Sequence, residues 1–189
     1  GITVLGLAFM TLFSATIIAK DRGSSLLQRL YTTPLTPMDF IIGYTLPIIP
    51  ISVAQCVICY IAAIILGLEI TVNILYAVLF IIPVSILYIA LGLLCGSVLT
   101  DKQVGGICGA LLTNLCAYLS GVWFDLELIG GLFKKIAIVL PFFHASEMEK
   151  ALFSGEFDIA LSHIAPIIIY VLVIITLAVL CFLTQMKKQ

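Results

Sequence analysis

Long apolar runs make up most of the chain, and two polar stretches interrupt them. A helix that crosses a bilayer needs about 20 mostly apolar residues. Five runs fit: Ile2 to Ala19, Phe40 to Leu66, Val72 to Leu99, Val104 to Val122 and Ile159 to Thr184. Prolines fall inside the second run, at Pro47 and Pro50, and inside the third, at Pro83. The pattern predicts an all-α polytopic membrane protein in which 1–189 form one transmembrane domain. Its spans are 1–19, 38–66, 71–99, 103–122 and 157–185, joined by connecting regions at 20–37 and 123–156.

The first polar stretch reads AKDRGSSLLQRLYTTPLTPMDF, residues 19–40. Leu26, Leu27, Leu30 and Tyr31 recur at i, i+1, i+4 and i+5, which lines one face of a helix, with Gln28 and Arg29 opposite. Ser24 or Ser25 supplies an N-cap, and Pro34 ends the helix. Two readings stay open. The segment is a surface helix resting on lipid headgroups, or a cytosolic helix that docks into a soluble partner and passes motion to the spans.

The second stretch, LIGGLFKKIAIVLPFFHASEMEKALFSG, is broken by Gly130-Gly131 and by Pro141. Each half is too short to cross. Two short interfacial or re-entrant helices are predicted, Leu126 to Leu140 and His144 to Phe153. At membrane depth such segments must be covered by protein or line water.

Charge sets the orientation. One side of the predicted topology carries Lys20, Arg22, Arg29, Lys102, Lys187 and Lys188. The other carries Lys134, Lys135 and Lys150 against Glu69, Asp125, Glu127, Glu147, Glu149, Glu156 and Asp158. Cytoplasmic loops hold the excess of Lys and Arg, so residues 20–39 and the C-terminus are placed in the cytosol and Gly1 outside. The opening GITVLGLAFM has neither an initiator Met nor a signal peptide. A chain that starts outside is then expected to have lost one upstream helix.

Composition agrees with membrane solvent. The 189 residues are 62% hydrophobic and 10% charged, with mean hydropathy +1.27; a soluble domain carries about 25% charged residues. A net charge of −1 gives no pull toward nucleic acid.

Little in the sequence performs chemistry. There is no G-x-x-x-x-G-K-[ST] phosphate loop, no H-E-x-x-H and no Cys/His cluster at metal spacing. Cys56, Cys59, Cys95, Cys108, Cys116 and Cys181 all sit in apolar runs, and Cys56-x-x-Cys59 has no basic neighbour to activate a thiol. His144 and His163 read as interfacial residues, with a ligand role as the alternative. The span interiors hold mild polar groups such as Ser52, Gln55, Thr113 and Asn114, and essentially no charge. Ion-coupled carriers depend on intramembrane ionisable residues, so energy for uphill transport must come from elsewhere. Gly92-x-x-x-Gly96 and Gly105-x-x-x-Gly109 allow close helix packing or a moving subunit interface. Pro47 and Pro50 should kink the second span, as a fixed bend or a hinge.

Two motifs carry a resemblance. Asp21-Arg22-x-x-Ser25-Leu26-Leu27-x-Arg29-Leu30, then Thr33-Pro34 and Gly43-Tyr44, resembles the stretch after the second span of ABC-2 type permeases. These are the membrane subunits of one class of ATP-binding-cassette exporters. The family pattern there is roughly E-R-x-x-G-T-L-x-R-L-x-x-T-P, with G-Y or G-K further on. Downstream, Ser120-Gly121-Val122-Trp123-Phe124, Glu127, Leu128, Pro141, Glu147 and Gly155 resemble the family's outer re-entrant hairpin. Asp21 replaces the usual Glu, Ser25 a common Gly, and Asp125 and Gly130 stand where prolines often occur.

The resemblance covers essentially the whole chain and implies six spans in the family, the first missing here. It implies a coupling helix at 22–32 with Asp21, Arg22, Ser25, Leu26, Leu27, Arg29, Leu30 and Pro34 facing an ATPase partner. It implies a second permease subunit, identical or related, a plasma-membrane location, and ATP with Mg bound by the partner alone. This chain would then be a transport subunit and no enzyme, exporting a drug, lipid or peptide-like substrate. The rival readings are an ion-coupled carrier or channel, and a membrane assembly or sensor protein that transports nothing.

Overall fold

The computed structural model describes residues 1–24, 36–68, 71–123 and 131–186. They form helices, with no strand among them. Four are long and apolar enough to cross a membrane: α1 (Ile2–Arg22), α2 (Pro37–Ile65), α3 (Asn73–Val98) and α8 (Phe157–Met186). The fourth predicted span is not one regular α-helix. It is a composite of α4 (Asp101–Val104), a π-helix, π1 (Gly105–Leu112), and α5 (Thr113–Leu119). Two short helices follow, α6 (Gly131–Val139) and α7 (Pro141–Ser154).

Local chemistry sets the boundaries. Thr36 caps α2: its hydroxyl accepts from the Asp39 amide while the Asp39 carboxylate accepts from the Thr36 amide, with Pro37 in the first turn. Thr100 and Gln103 cap α4 in the same reciprocal way. Pro141 opens α7, and Gly155 at φ +80° closes it, a left-handed position that favours glycine.

Several predicted boundaries shift. Lys20, Asp21 and Arg22 form the last turn of α1 and Pro37 begins α2, so both ends of the 20–37 region belong to spans. The Ser24 hydroxyl donates to the Asp21 carbonyl at 2.7 Å, closing α1. The second short helix begins at Pro141, not His144, because proline suits a first turn. Helix α2 runs unbroken through Pro47 and Pro50.

Helices α1 and α3 form the centre. Half of the most apolar stretch of each is buried within the chain, against 22% for α2 and α8. The outward faces of α2 and α8 carry Leu46, Ile58, Ile61, Ile169, Leu172 and Leu180, all exposed. In a bilayer such faces are solvated by lipid tails.

The contact between α1 and α3 is close because glycines remove side chains from it. A Cβ on Gly96 would lie 2.7 Å from the Ala15 carbonyl oxygen and 3.0 Å from Ala15 Cα. One on Gly92 would lie 2.6 Å from the Thr11 carbonyl oxygen. Hydroxyls stitch the same crossing: Thr11 donates to the Tyr88 carbonyl at 2.8 Å and Ser14 to the Ile89 carbonyl at 3.3 Å. Helix α2 meets α1 at another small residue, where the Gln55 amide fills the space above Gly6.

Candidate functional site

The polar residues of interest gather at the two ends of the bundle. At the basic end, α1 finishes beside the C-terminal end of α3. The last carbonyls of an α-helix lack partners within the helix. The Arg22 guanidinium donates to the carbonyls of Ser97 and Leu99, the latter at 2.7 Å. A cation there also complements the negative end of the α3 dipole. Its neighbour Asp21 accepts a hydrogen bond from Tyr44 Oη of α2 at 2.6 Å. Consecutive residues at the end of α1 thus hold α2 and α3. On the same end Phe40 of α2 stacks on Phe182 of α8, centroids 4.1 Å apart, and Lys20 and Lys102 are exposed.

Ser25, Leu26, Leu27, Arg29, Leu30 and Pro34 of the predicted coupling segment lie outside the described residues, as do Phe124 and Glu127 of the hairpin.

At the acidic end, α7 is fastened to several neighbours. Phe142, Ala145, Glu149 and Leu152 fall at i, i+3, i+7 and i+10, one buried face of α7. Glu149 is only 3% exposed, and its carboxylate accepts from Tyr60 Oη of α2 at 3.0 Å and from the Gly1 nitrogen at 2.8 Å. Ser146 donates to the Ser120 carbonyl, and Asn73 to the Phe153 carbonyl at 3.3 Å. Tyr170 of α8 donates to the Val139 carbonyl at 2.7 Å, at the α6–α7 junction. His144 of α7 and His163 of α8 bring their Nδ1 atoms to 2.8 Å. Burial first, then the neighbouring His163 ring, holds His144 below the usual imidazole range.

The remaining residues of the predicted hairpin are placed as follows. Gly121 has φ +70°, turning the chain after α5. Trp123 is exposed and meets Tyr118 edge to face at 5.3 Å. Pro141 is buried, and Glu147 pairs with Lys150 at 2.7 Å. A cavity of about 480 Å³ opens beside Glu149, lined mainly by Ile2, Thr3, Cys59, Tyr60, Val122 and Phe153.

The second glycine pair divides. A Cβ on Gly109 would meet Leu12 Cδ2 at 3.3 Å, whereas Gly105 has nothing within 4 Å. Gly105 is exposed, and among the described residues none lies against its Cβ position. In π1 the wider turn is joined at its exit by the Thr113 hydroxyl, which donates to the Cys108 carbonyl at 2.9 Å. Prolonged π-geometry is rare and is found mostly as short bulges, often at functional sites. The six cysteines are free thiols, and among the described residues no three His, Cys, Asp or Glu side chains converge as a metal site.

Sequence reasoning missed three of these roles. Glu149 was counted among outer acids, although its place on the 142–145–149–152 stripe marked it as buried. The bond from Tyr44 to Asp21 and the pairing of His144 with His163 had no local signal, because each depends on a partner from another helix.

A helical bundle with four bilayer-length apolar helices and nearly uncharged interiors defines a multi-pass membrane protein. A family model described as ABC-2 family transporter protein matches residues 1–180, and the chain belongs to that family. It is a membrane permease of the ABC type, from a family whose members generally lack an ATPase of their own and work with an ATP-binding subunit. No curated protein and no solved structure matches the chain.

Proposed function

We propose that this chain is the membrane-spanning subunit of an ABC exporter, moving a drug, lipid or peptide-like substrate outward with ATP hydrolysed by a separate subunit. The observation that supports it most is the junction at Asp21 and Arg22. Motion delivered to residues 22–32 enters α1 and, through the bonds to Tyr44, Ser97 and Leu99, reaches α2 and α3 together. Residues 22–32 act as the coupling helix, with Leu27 and Leu30 as apolar anchors and Arg29 as the polar contact. ATP and Mg belong to the partner, and nucleic acid has no part.

The remaining assignments follow from this reading. The 101–119 composite serves as the fourth of five spans, and α6 with α7 form the outer re-entrant hairpin, since α7 is covered by protein as membrane depth requires. The C-terminus is cytoplasmic, in the plasma membrane. A second permease subunit, identical or related, completes the substrate pathway, and the exposed Gly105 on π1 suits a face between subunits.

Two results test this. Transport by the complex should vanish when the partner ATPase loses its catalytic carboxylate, and should persist when the proton gradient is collapsed with ATP maintained. The reverse pattern would return the ion-coupled carrier reading. Leu30→Ala and Arg29→Glu should each lower recovery of the ATPase in a pull-down from membranes holding normal amounts of permease. Truncating a buried interface anchor costs about 2 kcal/mol, roughly a thirtyfold loss of affinity. Full recruitment by both variants would leave 22–32 a headgroup helix.

A further inference from the structure

We propose that His144 and His163 form a two-imidazole chelate for a divalent transition-metal ion, bridging α7 to α8 at the acidic end of the bundle. The two rings come from different helices, and their Nδ1 atoms face each other at 2.8 Å. Ring centroids are 5.1 Å apart, with planes inclined at 44°. Phe143 meets both rings edge on, at 5.8 and 6.2 Å, which restricts their rotation. Both histidines are half-buried, so each ring keeps part of its surface exposed.

The chemistry of that contact favours an ion. In a pair of neutral imidazoles one Nδ1 must carry a proton and donate it to the other. A metal ion accepts both Nδ1 lone pairs instead. The ring that held its proton on Nδ1 then carries it on Nε2, so charge and protons balance without any release. Metal–nitrogen bonds of 2.0–2.1 Å in tetrahedral geometry put the two nitrogens about 3.3 Å apart. The observed separation is about half an ångström shorter, a gap that small side-chain rotations close.

Imidazole pairs select Cu²⁺, Ni²⁺ and Zn²⁺ over Ca²⁺ and Mg²⁺, which want oxygen. Water fills the other positions, because among the described residues no third ligand converges with the pair. Glu147, one helical turn beyond His144, adds negative charge felt at His163, although its carboxylate is engaged by Lys150 at 2.7 Å. Binding would brace the outer hairpin against α8, because the second imidazole is supplied from within the same molecule.

The test uses the full chain, purified with a tag free of histidine and titrated with Cu²⁺ near pH 7.5, where an imidazole of ordinary pKa about 6.5 is neutral. Electron paramagnetic resonance should show a copper site with two nitrogen ligands. His144→Gln and His163→Gln should each weaken binding more than about tenfold and leave a single-nitrogen signal. Glutamine keeps a hydrogen-bonding group between the helices, and unfolding curves without metal show whether each variant is folded. Cu²⁺ or Zn²⁺ should raise the melting temperature of the native chain and not of the variants. Equal binding by native chain and double variant, cysteine-borne copper included, would overturn the proposal. So would a single-nitrogen signal in the native chain.

Discussion

Gly96→Ala is expected to destabilise the protein, against the direction that helix propensity alone would give. In a helix interior alanine is favoured over glycine by about 1 kcal/mol. Here the added Cβ would fall 2.7 Å from the Ala15 carbonyl oxygen and 3.0 Å from Ala15 Cα. These are backbone atoms of α1, so relief requires the two central helices to separate. Overpacking of this kind costs about 1–3 kcal/mol, and parting the helices also strains the hydroxyl bonds at Thr11 and Ser14. Gly92→Ala should behave likewise, because the Thr11 carbonyl oxygen lies 2.6 Å from its Cβ position. Valine at either site should abolish the folded protein. The control is Gly43→Ala in α2, where among the described residues nothing lies within 4 Å of the added Cβ; it should be neutral or slightly stabilising. Thermal unfolding in detergent, with the amount recovered from membranes, reads all five. A stabilised Gly96→Ala variant would mean that α1 and α3 are not tightly crossed.

The second large effect is expected at Arg22. Arg22→Gln removes a charged, forked donor from the Ser97 and Leu99 carbonyls at the end of α3. Hydrogen bonds to charged groups contribute about 1.5–3 kcal/mol, and even the lower value amounts to roughly a tenfold shift in an equilibrium. Lysine should rescue only in part, because one ammonium cannot reproduce the guanidinium fork. The loss should appear as uncoupling. The ATPase is still recovered with the permease, whereas transport per ATP hydrolysed falls several-fold. Tyr44→Phe, which deletes the 2.6 Å bond to Asp21, should have the same sign and a smaller size. Unchanged transport per ATP in Arg22→Gln would exclude this junction from coupling.

The position of Arg22 shows where sequence and tertiary structure divide. Its residue type and place after an apolar run marked the end of a span, because charge near a span end is a local property. That its side chain would turn back to α3 was not legible: the acceptors are 75 and 77 residues away. The same holds at the acidic end. Helical spacing could place Glu149 on the apolar stripe of α7, but only the packing of α2 beside it supplies Tyr60.

Membrane class, the four long helices and the existence of two short ones before the last span followed from run length and breakers alone. A bilayer imposes length and apolarity on each span independently of its neighbours. The 101–119 run was legible as apolar but not as π-helical, since hydropathy is blind to which carbonyl each amide reaches. The two GxxxG pairs look alike in sequence, yet Gly92 and Gly96 abut α1 while Gly105 faces open space. Which face of a helix meets which neighbour depends on how all the helices pack at once, so only the tertiary structure decided it.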